Sequence, residues 1–227
     1  NGFRVIRFDN FAHGKTKDGA NTLFLHEVVQ TLLDSLGIKK ANMLGLSLGG
    51  VTCIEFALEC PQYIDKLVLA STGINGYNWG TDTLFKPNLW KQIEYINNQD
   101  TLNAAEVFLQ SWTDGPYRNP EDVPTAMRLK NKQMILERFK THGLRKNALK
   151  SSPKAIKRYR NINCPVLIIL GEKDMPSIHD ISYMLQEGIT NSELEMIMGS
   201  AHMVNLEYPE IFNSLVLEFL NKPAIIK

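Results

Sequence analysis

A chain of 227 residues suits one large α/β domain, or one domain carrying an insertion, and is long enough to bury a sizeable core. With 44% apolar residues, 22% charged residues and a formal net charge of +1, it has an ordinary globular composition. That balance points away from nucleic acid as a partner, and no apolar run approaches the roughly 20 residues of a membrane-spanning helix. The chain shows no signal-peptide pattern and no N-x-S/T sequon. Cys53, Cys60 and Cys164 are an odd number with no CxxC pair, so neither a disulfide framework nor a zinc site is expected. Reduced thiols point to the cytoplasm.

Asn1-Gly2 before an apolar run reads as the stop of a preceding helix, with Gly2 left-handed. A chain opening there opens in mid-domain. Phe3 to Phe8 (FRVIRF) then reads as a buried parallel strand. Thr22 to Leu36 has helical spacing at Leu25, Val28, Val29, Leu32, Leu33 and Leu36, with Gly37 as its stop. Ala41 to Leu46 is a second strand, Leu48 to Glu59 a helix ending before Pro61, and Leu67 to Ala70 a third strand. From Gly76 to Arg160 the alternation breaks. Helical stretches at Leu84 to Ile96, Leu102 to Trp112 and Val123 to Phe139 predict a helical cap inserted between two strands. Strand and helix alternate again at Val166 to Leu170, Ile178 to Glu187, Leu194 to Met198 and Pro209 to Leu220, with Pro209 in a first-turn position. The pattern predicts an α/β fold, a mostly parallel sheet with helices on both faces. Residues 1–75 and 161–227 form its core and 76–160 the cap.

Gly45-Leu46-Ser47-Leu48-Gly49 fits G-x-S-x-G between a strand and a helix, where the pattern carries chemistry. Side chains at the flanking glycines would clash in so tight a turn, which pushes the Ser47 hydroxyl beyond the sheet at a helix N-terminus. The Leu48 N–H is the expected oxyanion donor. A serine hydroxyl needs a base. His202, in the loop after the last strand, lies at the same C-terminal edge as Ser47. His13, after the first strand, is its main rival; His179 opens a helix, and His26 and His142 sit in helical patterns as surface residues. Asp174, after the VLIIL strand, is expected to orient the base, with Glu172 as runner-up. An acid after the earlier LVLA strand is ruled out, since Leu67 to Thr81 contains no Asp or Glu.

On these residues the chain resembles α/β-hydrolase-fold proteins, in particular the esterase and enol-lactonase-like branch. FRVIRFDNFAHGKT, GLSLGGVTCIEFALECPQYIDKLVLAST, PVLIILGEKD and GSAHMVNLEYPEIFN carry the resemblance. The cap segment Trp112-Thr-Asp-Gly-Pro-Tyr-Arg is similar to one in uncharacterised members. The resemblance implies hydrolysis of a small-molecule ester or lactone through an acyl-serine, with no metal or other cofactor. Alternatives are a C–C bond hydrolase of the same fold and a non-catalytic ligand-binding relative. Epoxide hydrolases and haloalkane dehalogenases are disfavoured, because they place Asp where this chain has Ser47.

Two features depart from the family. Phe11-Ala12-His13-Gly14 stands where Arg-Gly-His-Gly or similar is usual. The family also carries a strand and an H-G-type loop before the position of Asn1, which supplies the second oxyanion N–H. That strand lies between the FRVIRF and ANMLGL strands, and its loss would leave unpaired backbone and a core void. A longer natural protein is therefore expected. Residues 127–160 hold twelve Lys or Arg and one acid, Glu137, which reads as a solvated helical face or an anion-attracting one. Trp79, Trp90 and Trp112 with Phe85 are candidates to line a pocket or to fill the cap core. Nothing in the sequence sets an oligomeric state.

Overall fold

The computed structural model describes residues 2–11, 13–16, 23–143 and 152–223. Among them a four-stranded parallel sheet runs in chain order: β1 (Ala41–Leu46), β2 (Ile64–Ala70), β3 (Val166–Gly171) and β4 (Ser192–Ile197). Parallel neighbours need crossovers, and helices supply them. The period-2 alternation of strand side chains divides the core in two. Leu67, Leu69, Val166 and Ile168 pack with α1 (Leu25–Ser35), α2 (Leu48–Glu59) and α6 (Pro176–Gly188). The intervening Val68, Ala70, Leu167 and Ile169 pack with α7 (Val204–Glu207) and α8 (Pro209–Asn221). Helices therefore cover both faces.

Several elements follow from local sequence. In α1, Leu25, Val29 and Leu33 repeat every fourth residue and form its buried stripe. The helix stops at Gly37, whose φ is +67°. Pro176 and Pro209 open α6 and α8, where a missing N–H costs nothing. The C-terminal end of α8 is tied to the sheet by buried Lys66, whose Nζ donates to the carbonyls of Phe219, Leu220 and Lys222. That contact satisfies three terminal acceptors and complements the helix dipole.

Between β2 and β3 the longer elements are helical: α3 (Phe85–Asn97), α4 (Thr101–Leu109) and α5 (Thr125–His142). They share a small core of Ala104, Ala105 and Phe139 with Tyr95, Ile96, Ile135 and Leu136 around it. The stretch expected to run as one helix to Trp112 widens after Leu109 into a π-turn, Gln110–Asp114. Among the described residues no helix is long and apolar enough to cross a membrane.

The expected strand Phe3–Phe8 is a correction. Residues 2–10 form neither strand nor helix, and Val5 is 77% exposed. An apolar run becomes a strand only when a neighbour completes its hydrogen-bond ladder, and among the described residues none does. Among the described residues β1 has no strand on its outer edge, and its Leu44 is 48% exposed. Asn1, Ala12, Thr22, Arg145, Lys146 and Lys150, invoked above, lie outside the described residues.

Candidate active site

The register fixes which strand ends meet. Leu46 pairs with Ala70, Ala70 with Ile169, and Gly171 with Ile197. The segments leaving β1, β3 and β4 therefore emerge at one edge, and they carry Ser47, Asp174 and His202.

Ser47 has φ +53° and ψ −113°, a left-handed conformation that L-residues seldom adopt. The turn is pinned on both sides. The Ser47 N–H donates to the Ala70 carbonyl at 3.0 Å, and the Val51 N–H donates to the Ser47 carbonyl at 3.1 Å. The glycines explain how so sharp a turn fits. A Cβ on Gly45 would lie 2.2 Å from the Gly49 carbonyl oxygen, and one on Gly50 would lie 2.1 Å from Thr72 Oγ1. Among the described residues, a Cβ on Gly49 would meet nothing within 4 Å. The steric demand thus falls on Gly45 and Gly50, not on both glycines flanking the serine, as the motif suggested. Leu48 is the first residue of α2, so its N–H has no acceptor within the helix and is available to an anion.

His202 and Asp174 form a buried pair. Their residues are 2% and 1% exposed, and His202 Nδ1 donates to both Asp174 carboxylate oxygens at 3.0 Å. The Met175 N–H donates to Asp174 Oδ1 at 2.8 Å, which fixes the carboxylate from its own chain. With the proton on Nδ1, Nε2 carries a free lone pair. The indole of Trp112 lies against the imidazole, ring centroids 4.5 Å apart. Among the described residues Ser47 Oγ makes no hydrogen bond to His202, whose imidazole is bonded to Asp174.

The other sequence candidates go elsewhere. Glu172, weighed against Asp174, accepts the Gly199 N–H at 2.9 Å, and that bond holds its carboxyl below the usual range. His13 Nδ1 donates to the Phe11 carbonyl, His142 Nε2 to the Gly14 carbonyl, and His179 lies beside Tyr183. His26, expected on the surface, is half-buried and bonded to Ser152 Oγ at 2.9 Å. Trp79, Phe85 and Trp112 form a series of ring contacts ending on His202, whereas Trp90 is 60% exposed and outside it. The basic run is partly neutralised: Arg128 pairs with Asp114 and Glu106, and Arg158 with Glu59. Among the described residues no cluster of three His, Cys, Asp or Glu forms a metal site.

Sequence reasoning missed Ser71. It follows β2 beside Ser47, with φ +41°, full burial and no hydrogen-bond partner for its Oγ among the described residues. No local pattern marks it.

This architecture defines the class. A family model described as alpha/beta hydrolase fold matches residues 1–209, and the chain belongs to that family. The protein is a hydrolase. Among curated proteins it is similar to the 2-hydroxy-6-oxononadienedioate/2-hydroxy-6-oxononatrienedioate hydrolase of Escherichia coli K12. The two are 28% identical over 236 residues, covering 98% of this chain and 78% of that relative. A solved hydrolase from Pseudomonas aeruginosa PA01 superposes with a TM-score of 0.75 at 26% identity, over 97% of this chain and 80% of that one. The enol-lactonase from Burkholderia xenovorans LB400 does so with a TM-score of 0.69 at 18% identity, over 93% and 78%. At that identity the likeness is one of fold.

Proposed function

We propose that this hydrolase cleaves a carboxylic ester or lactone through an acyl-serine intermediate. Ser47 Oγ attacks the carbonyl carbon while His202 Nε2 takes the hydroxyl proton. The carbonyl oxygen becomes an oxyanion that accepts from the Leu48 N–H at the start of α2. Collapse expels the alkoxide, which takes the proton from the imidazolium. Water then attacks the acyl-enzyme with His202 again as base. Asp174 keeps the proton on Nδ1 and stabilises the imidazolium. The helical insertion covers the site as a cap and selects the substrate.

The observation that carries this reading is the buried imidazole held by both oxygens of Asp174, at the sheet edge where a left-handed serine begins a helix. A second reading, C–C bond hydrolysis by the same residues, is favoured by the similarity to the Escherichia coli relative. Three free cysteines, two of them buried, suit a reducing compartment and support a cytoplasmic location. The test is labelling by a fluorophosphonate probe alongside a panel of p-nitrophenyl esters and lactones. Labelling that disappears in Ser47→Ala, with ester turnover, is expected. Labelling without turnover of any ester or lactone would shift the assignment to C–C substrates. An unlabelled wild-type protein would refute the nucleophile.

A further inference from the structure

We propose that Arg118 and Glu207 form a clamp by which the helical insertion positions His202, making both of them positioning residues for the base. The proposal rests on the reading of His202 as that base.

His202 follows a turn, Gly199 to Ala201, whose polar groups are held almost without exception. The Gly199 N–H goes to Glu172, and the Ser200 carbonyl accepts the Lys173 N–H at 2.7 Å. These two bonds come from the segment that carries Asp174. The Ser200 N–H goes to the Ile197 carbonyl at 3.4 Å, and three further bonds come from the clamp. Arg118 Nη1 donates to the Gly199 carbonyl at 2.9 Å. Glu207 Oε2 accepts the Ala201 N–H at 3.0 Å and the Ser200 hydroxyl at 3.1 Å. Arg118 and Glu207 are paired to each other through both guanidinium Nη groups.

The other end of the clamp lies in the insertion. Arg118 Nε donates to the Asp114 carbonyl at 2.7 Å and Nη2 to the Thr113 carbonyl at 3.0 Å. One planar fork thus joins the end of the π-turn to the turn before His202, a task a point charge cannot perform. The same stretch makes two further contacts. A Cβ on Gly115 would lie 2.7 Å from the Lys173 carbonyl oxygen and 2.8 Å from Ala201 Cβ, so the insertion presses on both catalytic loops. Trp112 lies on the imidazole itself.

Burial makes the pair hard to explain as decoration. The side chains are 11% and 3% exposed. A carboxylate so buried is tolerated because the guanidinium, a hydroxyl and a backbone N–H all converge on it. Folding alone does not require this expense, since an apolar pair would fill the space. A fixed location for the imidazole does require it, because a displacement of about 1 Å can cost a hundredfold in turnover.

The test compares Arg118→Ala, Arg118→Lys and wild type in the full chain, by ester kinetics and by the downfield NMR resonance of the His202 Nδ1–H. Arg118→Ala is expected to lower kcat about tenfold to a hundredfold with KM little changed, and to broaden or erase the resonance. Arg118→Lys is expected to restore part of both. A folded Arg118→Ala protein with wild-type kcat and resonance would overturn the clamp. Should that variant not fold, Glu207→Gln keeps the shape and an acceptor while removing the charge. There a smaller fall in kcat at constant KM supports the proposal, and unchanged kcat overturns it. A wild-type protein inactive on every ester refutes the function proposed above, and the resonance in the variants still decides the clamp.

Discussion

The site proposed above has a nucleophile half and an acid–base half, and they are held differently. On the acid–base side, β3 is buried at every position, and Asp174, itself held by the Met175 N–H, grips His202 with both carboxylate oxygens. On the nucleophile side, Ser47 follows β1 and, among the described residues, is held by one sharp turn pinned at Ala70 and Val51. The difference teaches where each kind of precision comes from. Orientation of a ring needs many partners around it. Presentation of a hydroxyl needs only a backbone conformation that packing forbids to relax.

The comparison can be broken most sharply at Asp174. If the acid–base half works by fixing a tautomer, Asp174→Asn keeps the shape and loses the preference for the proton on Nδ1. Turnover is expected to fall about 10⁴-fold with little change in melting temperature. Steady-state kinetics beside a thermal melt measure both. A fall of less than about tenfold would mean that the imidazole is oriented by its other neighbours, Trp112 and the 199–201 turn.

The nucleophile half is tested by steric means. Gly45→Ala places a methyl group 2.2 Å from the Gly49 carbonyl oxygen, which belongs to backbone and cannot swing aside. A loss of about 3 kcal/mol in urea unfolding is expected, together with loss of fluorophosphonate labelling. Gly49→Ala meets no atom and serves as the control; its stability should stay within about 1 kcal/mol of wild type, the ordinary helix-propensity range. Equal effects at the two positions would show that the turn is not set by packing at Gly45.

The same contrast governs what was legible in the sequence. The shared edge of Ser47, Asp174 and His202 was readable because each follows an apolar strand, and parallel strand ends gather at one edge whatever the rest of the chain does. The β-strands from Ala41 onward, α2, and the stripe of α1 were readable because period and burial are local properties. Phe3–Phe8 was misread because a strand is a property of a pair, and composition cannot say whether the partner is there. The Arg118–Glu207 contact joins residues 89 apart, so no local pattern encodes it. Ser71 likewise takes its conformation from the β2–β3 register, with its N–H bonded to the Ile169 carbonyl, and not from its neighbours in sequence. Gly49 shows the opposite error, a motif position read as sterically necessary where the fold leaves room.

The smallest expected effect concerns Glu172, and it sharpens the picture of the acid–base half. Its carboxylate accepts the Gly199 N–H, and that bond, the largest influence, holds its pKa below the ordinary value of 4.5. A carboxyl lowered on folding adds stability that is fully present above the unfolded value and is lost as pH falls through the folded one. Glu172→Gln keeps an oxygen for the Gly199 N–H and removes only the charge, replacing a charge-assisted bond by a neutral one. The variant should therefore melt slightly below wild type at neutral pH, by on the order of 1 °C, since the group is solvent-screened. The gap should close as pH falls through the lowered folded pKa, where the wild-type carboxyl itself takes up its proton. Melts at several pH values, read as the difference between the two proteins, isolate this one group from the general acid unfolding. A gap that persists unchanged at low pH would show that the side chain's shape, and not its charge, supports the turn before His202.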